Sequence, residues 1–97
     1  MEVTNNKREF RFETLLPDGE YITVGYRWLK GSMALMHTLV PPTARGTGMG
    51  TTFVAEVLRQ AAEKELKVIP YCSFVAQYIK DHPELEDLVD EAYRGKY

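Results

Sequence analysis

Between Arg45 and Thr52 the chain reads Arg-Gly-Thr-Gly-Met-Gly-Thr-Thr, with glycines at 46, 48 and 50. Glycine at every second position lets the backbone curl tightly and turn successive N–H groups toward one point. Apolar residues at helical spacing follow directly, so a helix N-terminus adds its partial positive charge to those amides. Thr51 and Thr52 add hydroxyl donors. The run Gly46, Thr47, Gly48, Met49, Gly50, Thr51 therefore reads as a cradle for an anion such as phosphate, with Arg45 beside it. Two familiar cradles are excluded. A P-loop closes on Gly-Lys-Ser/Thr, and no lysine occurs between Lys30 and Lys64. A dinucleotide fingerprint needs its third glycine where Thr51 stands, and an acidic residue ending the second strand.

Three more side chains could do chemistry. Cys72, the single cysteine, is either a thiol able to take an acyl group or a small buried hydrophobe. His37 is either a general base working near neutral pH or a satisfied strand residue. Ser73 could bind a ligand or cap a following helix. No His/Cys/Asp/Glu spacing has the form of a metal site.

The elements that must carry these residues follow from periodicity. Residues 9–15 alternate, Phe10 and Phe12 against Arg11 and Glu13, and Pro17-Asp18-Gly19 is turn chemistry. Residues 20–28 bring Tyr21, Ile22, Val24, Tyr26 and Trp28, good strand formers. After Lys30-Gly31-Ser32, residues 33–40 are apolar almost throughout, which predicts burial on both faces. Three strands on short turns make an antiparallel meander. From Gly50 the stripe Phe53, Val54, Val57, Leu58, Ala61, Ala62, Leu66 predicts an amphipathic helix. Residues 67–70 form a short strand, Phe74 to Ile79 a second helix, and His82-Pro83 opens a third, with Leu85, Leu88, Val89 and Ala92 on its inner face. The expected fold is α/β (α+β), a mixed sheet. Its meander passes into a parallel strand–helix–strand unit, residues 33–70, and C-terminal helices follow.

Ligands of open α/β sheets bind beyond the carboxyl ends of parallel strands. Both strands of the unit run into proline, at Pro41 and Pro70. Proline gives no N–H to a ladder, so the pair should splay there and leave backbone groups of Leu39 and Val40 facing a slot.

Composition narrows the class. The chain has 97 residues, 44% of them hydrophobic and 27% charged, with a net charge of -2. That is one globular domain, residues 1–97, and not a disordered segment. A pI near 5.7 argues against a dedicated nucleic-acid binder, whose domain pI often exceeds about 9. No stretch approaches the ~18 apolar residues of a membrane helix, and the first residues hold no apolar signal core, so no membrane partner and a cytoplasmic location are expected. Residues 81–97 hold six acidic and two basic side chains, a solvated acidic face set apart from the glycine loop.

Arg45, Gly48 and Gly50 match the Arg/Gln-x-x-Gly-x-Gly/Ala pattern of pyrophosphate binding in the GNAT acetyltransferase superfamily. With the early "F…DGE…Y" meander and the segments "HTLVPP", "RGTGMG", "KVIPYCSFVAQYI" and "DHPELEDLV", the chain resembles the minimal single-domain branch of that superfamily, the short N-acetyltransferase domain-containing proteins. The resemblance implies acetyl-CoA as cosubstrate, its pantetheine arm against Leu39 and Val40 and its pyrophosphate on the amides of Gly46 to Thr51 beside Arg45. It implies attack by an amine on the thioester, CoA leaving as thiolate. Tyr78 matches by position the tyrosine that family members often use to protonate that thiolate.

Fuller members carry N-terminal helices and C-terminal strands that wall in the acceptor, and Asp81-His82-Pro83 stands where Gly-Phe is usual. Two readings result: an acetyl-CoA-dependent N-acetyltransferase with an open acceptor site for an unidentified amine or protein, or a non-catalytic CoA-binding module that regulates a protein interaction.

Overall fold

A computed structural model describes residues 1–97 as one five-stranded sheet, in the order β1-β2-β3-β4-β5, with two α-helices. The strands are β1 (Thr4–Asn6), β2 (Arg11–Leu15), β3 (Tyr21–Leu29), β4 (Ser32–Leu39) and β5 (Val68–Pro70). The first four are antiparallel; β5 pairs with β4 in parallel. Helix α1 (Met49–Glu63) makes the crossover between them, and α2 (Ser73–Asp81) follows β5. Helix α1 buries Phe53, Val54, Val57, Leu58 and Ala61, the expected stripe, against Ile22, Val24, Met33 and Leu35 of the sheet in one core. Ala62 falls outside it and is exposed.

Three features depart from the sequence reading. Strand β1 is polar and only three residues long, so it carries no periodic signal. It is held by its ladder to β2, by the Tyr26 hydroxyl donating to Asn5 Oδ1 (2.7 Å) and by Gln60 Nε2 donating to the Val3 carbonyl (3.0 Å). The third helix is broken into two short 3₁₀ turns, Pro83–Leu88 and Glu91–Tyr93. Between them Val89 is fully buried and bridges in parallel to Val68, and the Asp90 amide donates to the Val68 carbonyl (2.8 Å). Asp90 also accepts from the Ser32 hydroxyl (2.6 Å) and from the Ala92 amide. A β-branched residue beside an open strand edge, followed by an Asx cap, wins over helix continuation there.

Third, β4 is buried on both faces only over Ser32–Leu35. That half alone pairs with β5, through Met33–Val68, Ala34–Ile69 and Leu35–Pro70. Beyond Leu35 the strand continues on β3 alone.

Candidate functional site

The split between β4 and β5 opens at Leu35–Pro70, the last register pair. Pro70 has no N–H to extend the ladder, and a bulge at Met36 bends β4 at the same level: Tyr26 lies opposite Leu35 but Gly25 lies opposite His37. Pro41 lies beyond the end of β4 and takes no part in the split.

Alternation along β3 decides which groups face the gap. The Tyr26 amide donates to Phe10 and the Glu20 carbonyl accepts from Leu16, so even-numbered residues of β3 turn toward β2. Gly25 and Thr23 therefore turn toward β4, where they meet His37 and Leu39. Leu39 is thus committed to β3, and the main-chain groups of Thr38 and Val40 face the gap. This shifts one of the two expected backbone positions from Leu39 to Thr38, because the Met36 bulge changes the phase of the strand. Cys72 closes the inner end of the split. Its amide donates to the Leu35 carbonyl (2.9 Å), and its buried sulfur lies 3.1 Å from Thr38 Oγ1.

At the outer end lies the glycine loop. Buried Ala44 anchors it, and the Thr43 hydroxyl ties it to Asp18 in the β2–β3 turn (2.7 Å). That bond, then the Glu20 amide, holds the Asp18 carboxyl below its ordinary value. Within the loop the threonines work inward. Thr47 Oγ1 bonds the Ala44 carbonyl and accepts from the Met49 amide (3.2 Å), while Thr52 Oγ1 donates to the Gly48 carbonyl (3.1 Å). Thr52 is therefore a helix-stabilising hydroxyl, not a free donor, and the amides of Thr47 and Met49 are spent inside the loop.

The amides of Gly46, Gly48, Gly50 and Thr51 remain, and none has a protein acceptor. Gly48, in the left-handed region at φ 85°, precedes α1 with no side-chain cap, and the first turn carries no acidic residue. The positive end of the helix is thus uncompensated. Arg45 Nε donates to the Val40 carbonyl (2.9 Å), and its two Nη groups bond no protein atom and enter no ion pair. These groups, with Val40, Ala44 and Phe74, line a cavity of about 300 Å³. Its donor set is what a doubly charged, many-oxygen anion requires.

Phe74 is the residue the sequence reading missed. Its ring and Val40 press on Gly50 so closely that a Cβ there would lie 3.2 Å from Phe74 Cζ and 3.1 Å from Val40 Cγ2. An exposed aromatic at an apolar helix position gives no signal of this role.

The remaining candidates divide. His37 is exposed, beside the bulge and opposite Gly25. Ser73 is exposed and does not cap α2; Cys72 is the N-cap residue, and it makes no side-chain cap bond. Tyr78 lines a second cavity, of about 270 Å³, with Thr51, Phe74, Gln77, Asp81 and His82, and Cys72 is not among its walls. The structure so gathers Val40, Arg45, Gly46, Gly48, Gly50 and Thr51 at one pocket, puts Cys72 at the inner end of the split, and sets Tyr78 apart.

A family model described as GCN5-related N-acetyl-transferase matches residues 11–88, from β2 through the first 3₁₀ turn. No curated protein matches the chain. No helix is long and apolar enough to cross a membrane.

Proposed function

Because this chain belongs to the GCN5-related N-acetyltransferase family, we propose that it binds acetyl-CoA and transfers the acetyl group to an amine by direct attack on the thioester. The observation that carries this reading is the set of four unpartnered amides, Gly46, Gly48, Gly50 and Thr51, at the mouth of a split parallel strand pair. The donors fit a pyrophosphate: four N–H groups, a free guanidinium fork and an uncompensated helix end. The main-chain groups of Thr38 and the Val40 amide fit an extended, amide-containing arm that adds to β4 in place of the departed β5, the Val40 carbonyl being held by Arg45 Nε.

The bound thioester supplies an activated carbonyl and a thiolate leaving group. The protein's part is placement and proton management. An arm seated along β4 points its reactive end at the Met36 bulge, where His37 stands exposed and suited to take the proton of an incoming ammonium or amine. Cys72 Sγ faces Thr38 Oγ1 (3.1 Å), with no basic side chain bonded to it. Cys72 is thus the packed end of the slot and not an acetyl carrier.

Two measurements test the reading. Saturating acetyl-CoA is expected to raise the melting temperature, and thiol release on a panel of small amines and amino-terminal or lysine-bearing peptides is expected to single out an acceptor class. Failure of any acceptor to release thiol, with the thermal shift retained, favours the non-catalytic CoA-binding module. Loss of the shift as well removes both readings. For Cys72, incubation with acetyl-CoA followed by intact-mass analysis is expected to show no acetyl adduct. An adduct that disappears in Cys72→Ser would replace direct attack with a two-step route through the thiol.

A further inference from the structure

The end of the sheet opposite the glycine loop carries two surfaces with no part in the site. There β1 joins β2 through residues 7–10, β3 joins β4 through Lys30-Gly31, and α1 passes into β5. Three non-glycine residues of the chain adopt left-handed φ, Phe10 (53°), Lys30 (51°) and Glu65 (57°), and each lies in one of these three connections. Such backbone is costly for side chains of this size, and strain of this kind gathers at functional surfaces.

The first surface is aromatic and basic. Phe10 and Trp28 are exposed, at 53% and 46%, and both rings stand edge-on to Tyr26, with centroids 6.1 and 5.7 Å from it. Lys7, Arg8 and Lys30 are exposed on the same connections and enter no ion pair; Glu9 brings the one opposing charge. The second surface is apolar and acidic. A groove of about 510 Å³ lies between the end of α1 and the first 3₁₀ turn. Half-buried Leu66, Leu85 and Leu88 line it, with the exposed carboxylates of Glu65, Glu84 and Asp87, none of them in an ion pair. Lys67, the one cation on its walls, donates Nζ to the Asp87 carbonyl. Helix α1 ends here with no basic residue in its last turn, so its negative pole adds to the same field.

The two surfaces are neighbours. Trp28 lies opposite Met33 at the start of β4, and the Met33 amide donates to the Lys67 carbonyl (2.9 Å) at the groove. They are two strand spacings apart, roughly 10 Å. A polyanion or an anionic membrane drawn to the cations would meet the carboxylates at that distance. Each surface instead complements the other, in charge and in apolar content.

We propose that a second copy of this chain occupies both. Two molecules meet end to end about a two-fold axis near the start of β4. The Phe10–Trp28 tip of each sits in the leucine groove of the other, with Arg8 and Lys30 toward Glu84 and Asp87. The pairing is independent of the CoA reading. Helix α1, 15 residues long, spans about 22 Å between this end and the glycine loop, so both loops stay open in the pair.

Sedimentation velocity over a concentration series up to about 1 mM tests the pairing. The wild type is expected to form a dimer and nothing larger at low salt, and to dissociate as salt screens the contact. Arg8→Glu/Lys30→Glu and Glu84→Lys/Asp87→Lys should each weaken the dimer roughly tenfold or more, because like charges then face each other. All four positions are exposed, and a thermal transition checks that each variant folds; should either fail, the single changes Lys30→Glu and Glu84→Lys replace it. Mixing the two variants is decisive. Each supplies the charge the other lacks, so a mixed dimer should return with close to wild-type affinity. Glu20→Lys, in the β2–β3 turn at the opposite end, should dimerise as the wild type does. A wild type that stays monomeric overturns the pairing, and binding of that monomer to phosphatidylglycerol vesicles or to a single-stranded oligonucleotide would give the tip to a polyanion instead. Growth past the dimer overturns the two-fold arrangement. Variants that dimerise unchanged, or a mixture that does not recover, overturn the assignment of these two surfaces.

Discussion

Replacing Gly50 with valine is expected to abolish stabilisation by acetyl-CoA in a protein that still folds. Gly50 sits in the first turn of α1 with ordinary helical backbone, so the substitution brings no φ penalty; the constraint is space. A Cβ would meet Val40 Cγ2 at 3.1 Å and Phe74 Cζ at 3.2 Å, and the two further Cγ atoms of valine must displace those side chains, which wall the cavity at the loop amides. For the wild type, ligand at 100 times its Kd adds ~2.7 kcal/mol. In a domain of this size that is a rise on the order of 10–20 °C. In Gly50→Val the rise should shrink to roughly 2 °C or less by the same conversion. Overpacking of this kind costs typically about 1–3 kcal/mol, so the unliganded melting point falls but a transition remains. Gly31→Ala is the control. Gly31 lies in the β3–β4 turn at φ 85° with open space around it, so alanine there strains the turn and must leave the acetyl-CoA shift in place. A full shift in Gly50→Val would place the anion somewhere other than the α1 N-terminus.

The parts of this architecture that were legible in the sequence are those in which local chemistry and periodicity agree. The α1 stripe, the meander and the glycine loop each carry a repeat or a backbone requirement that survives without tertiary context. The split was legible in kind, because proline cannot extend a ladder, but its position was not. Pro70 marks it, Pro41 does not, and the Met36 bulge that helps open it has no signature in an apolar run. That bulge is also why Thr38, not Leu39, turns its main chain to the gap. A one-residue change of phase exchanges the two sides of a strand.

The donor inventory of the loop was legible only as a total. The six amides of residues 46–51 and the three hydroxyls of Thr47, Thr51 and Thr52 stood in a row in the sequence; the fold spends the Thr47 and Thr52 hydroxyls and the Thr47 and Met49 amides on the loop itself. The three glycines and Thr51 keep theirs free. The threonines build the cradle and the glycines present it, a division that depends on hydrogen bonds made across two to four residues. Strand β1 and the Val89 bridge were illegible for the opposite reason. Each is held by distant partners, Glu13 and Tyr26 in one case and Val68 in the other, and neither has a local pattern.

Reversing the charge at position 45 should have an effect of similar size by a different route. The Arg45 guanidinium is exposed, bonds one backbone carbonyl through Nε, and pairs with no carboxylate. Arg45→Glu therefore costs the fold little, and its unliganded melting temperature should stay close to that of the wild type. Binding is another matter. A hydrogen bond to a charged group contributes about 1.5–3 kcal/mol, and the glutamate adds repulsion where attraction was lost. Acetyl-CoA affinity is thus expected to fall roughly 100-fold or more, read by titration. Salt separates the charge effect from a disturbed loop. Screening lengths are about 10 Å at 0.1 M, so added salt should weaken the wild type steadily while Arg45→Glu loses much less, and the two affinities converge. Arg45→Lys keeps the charge but cannot reproduce the planar fork tethered to Val40, so it belongs between them and should retain the salt dependence of the wild type. A constant affinity ratio across the salt range would mean that Arg45 shapes the loop through its bond to Val40 and does not itself face the phosphates.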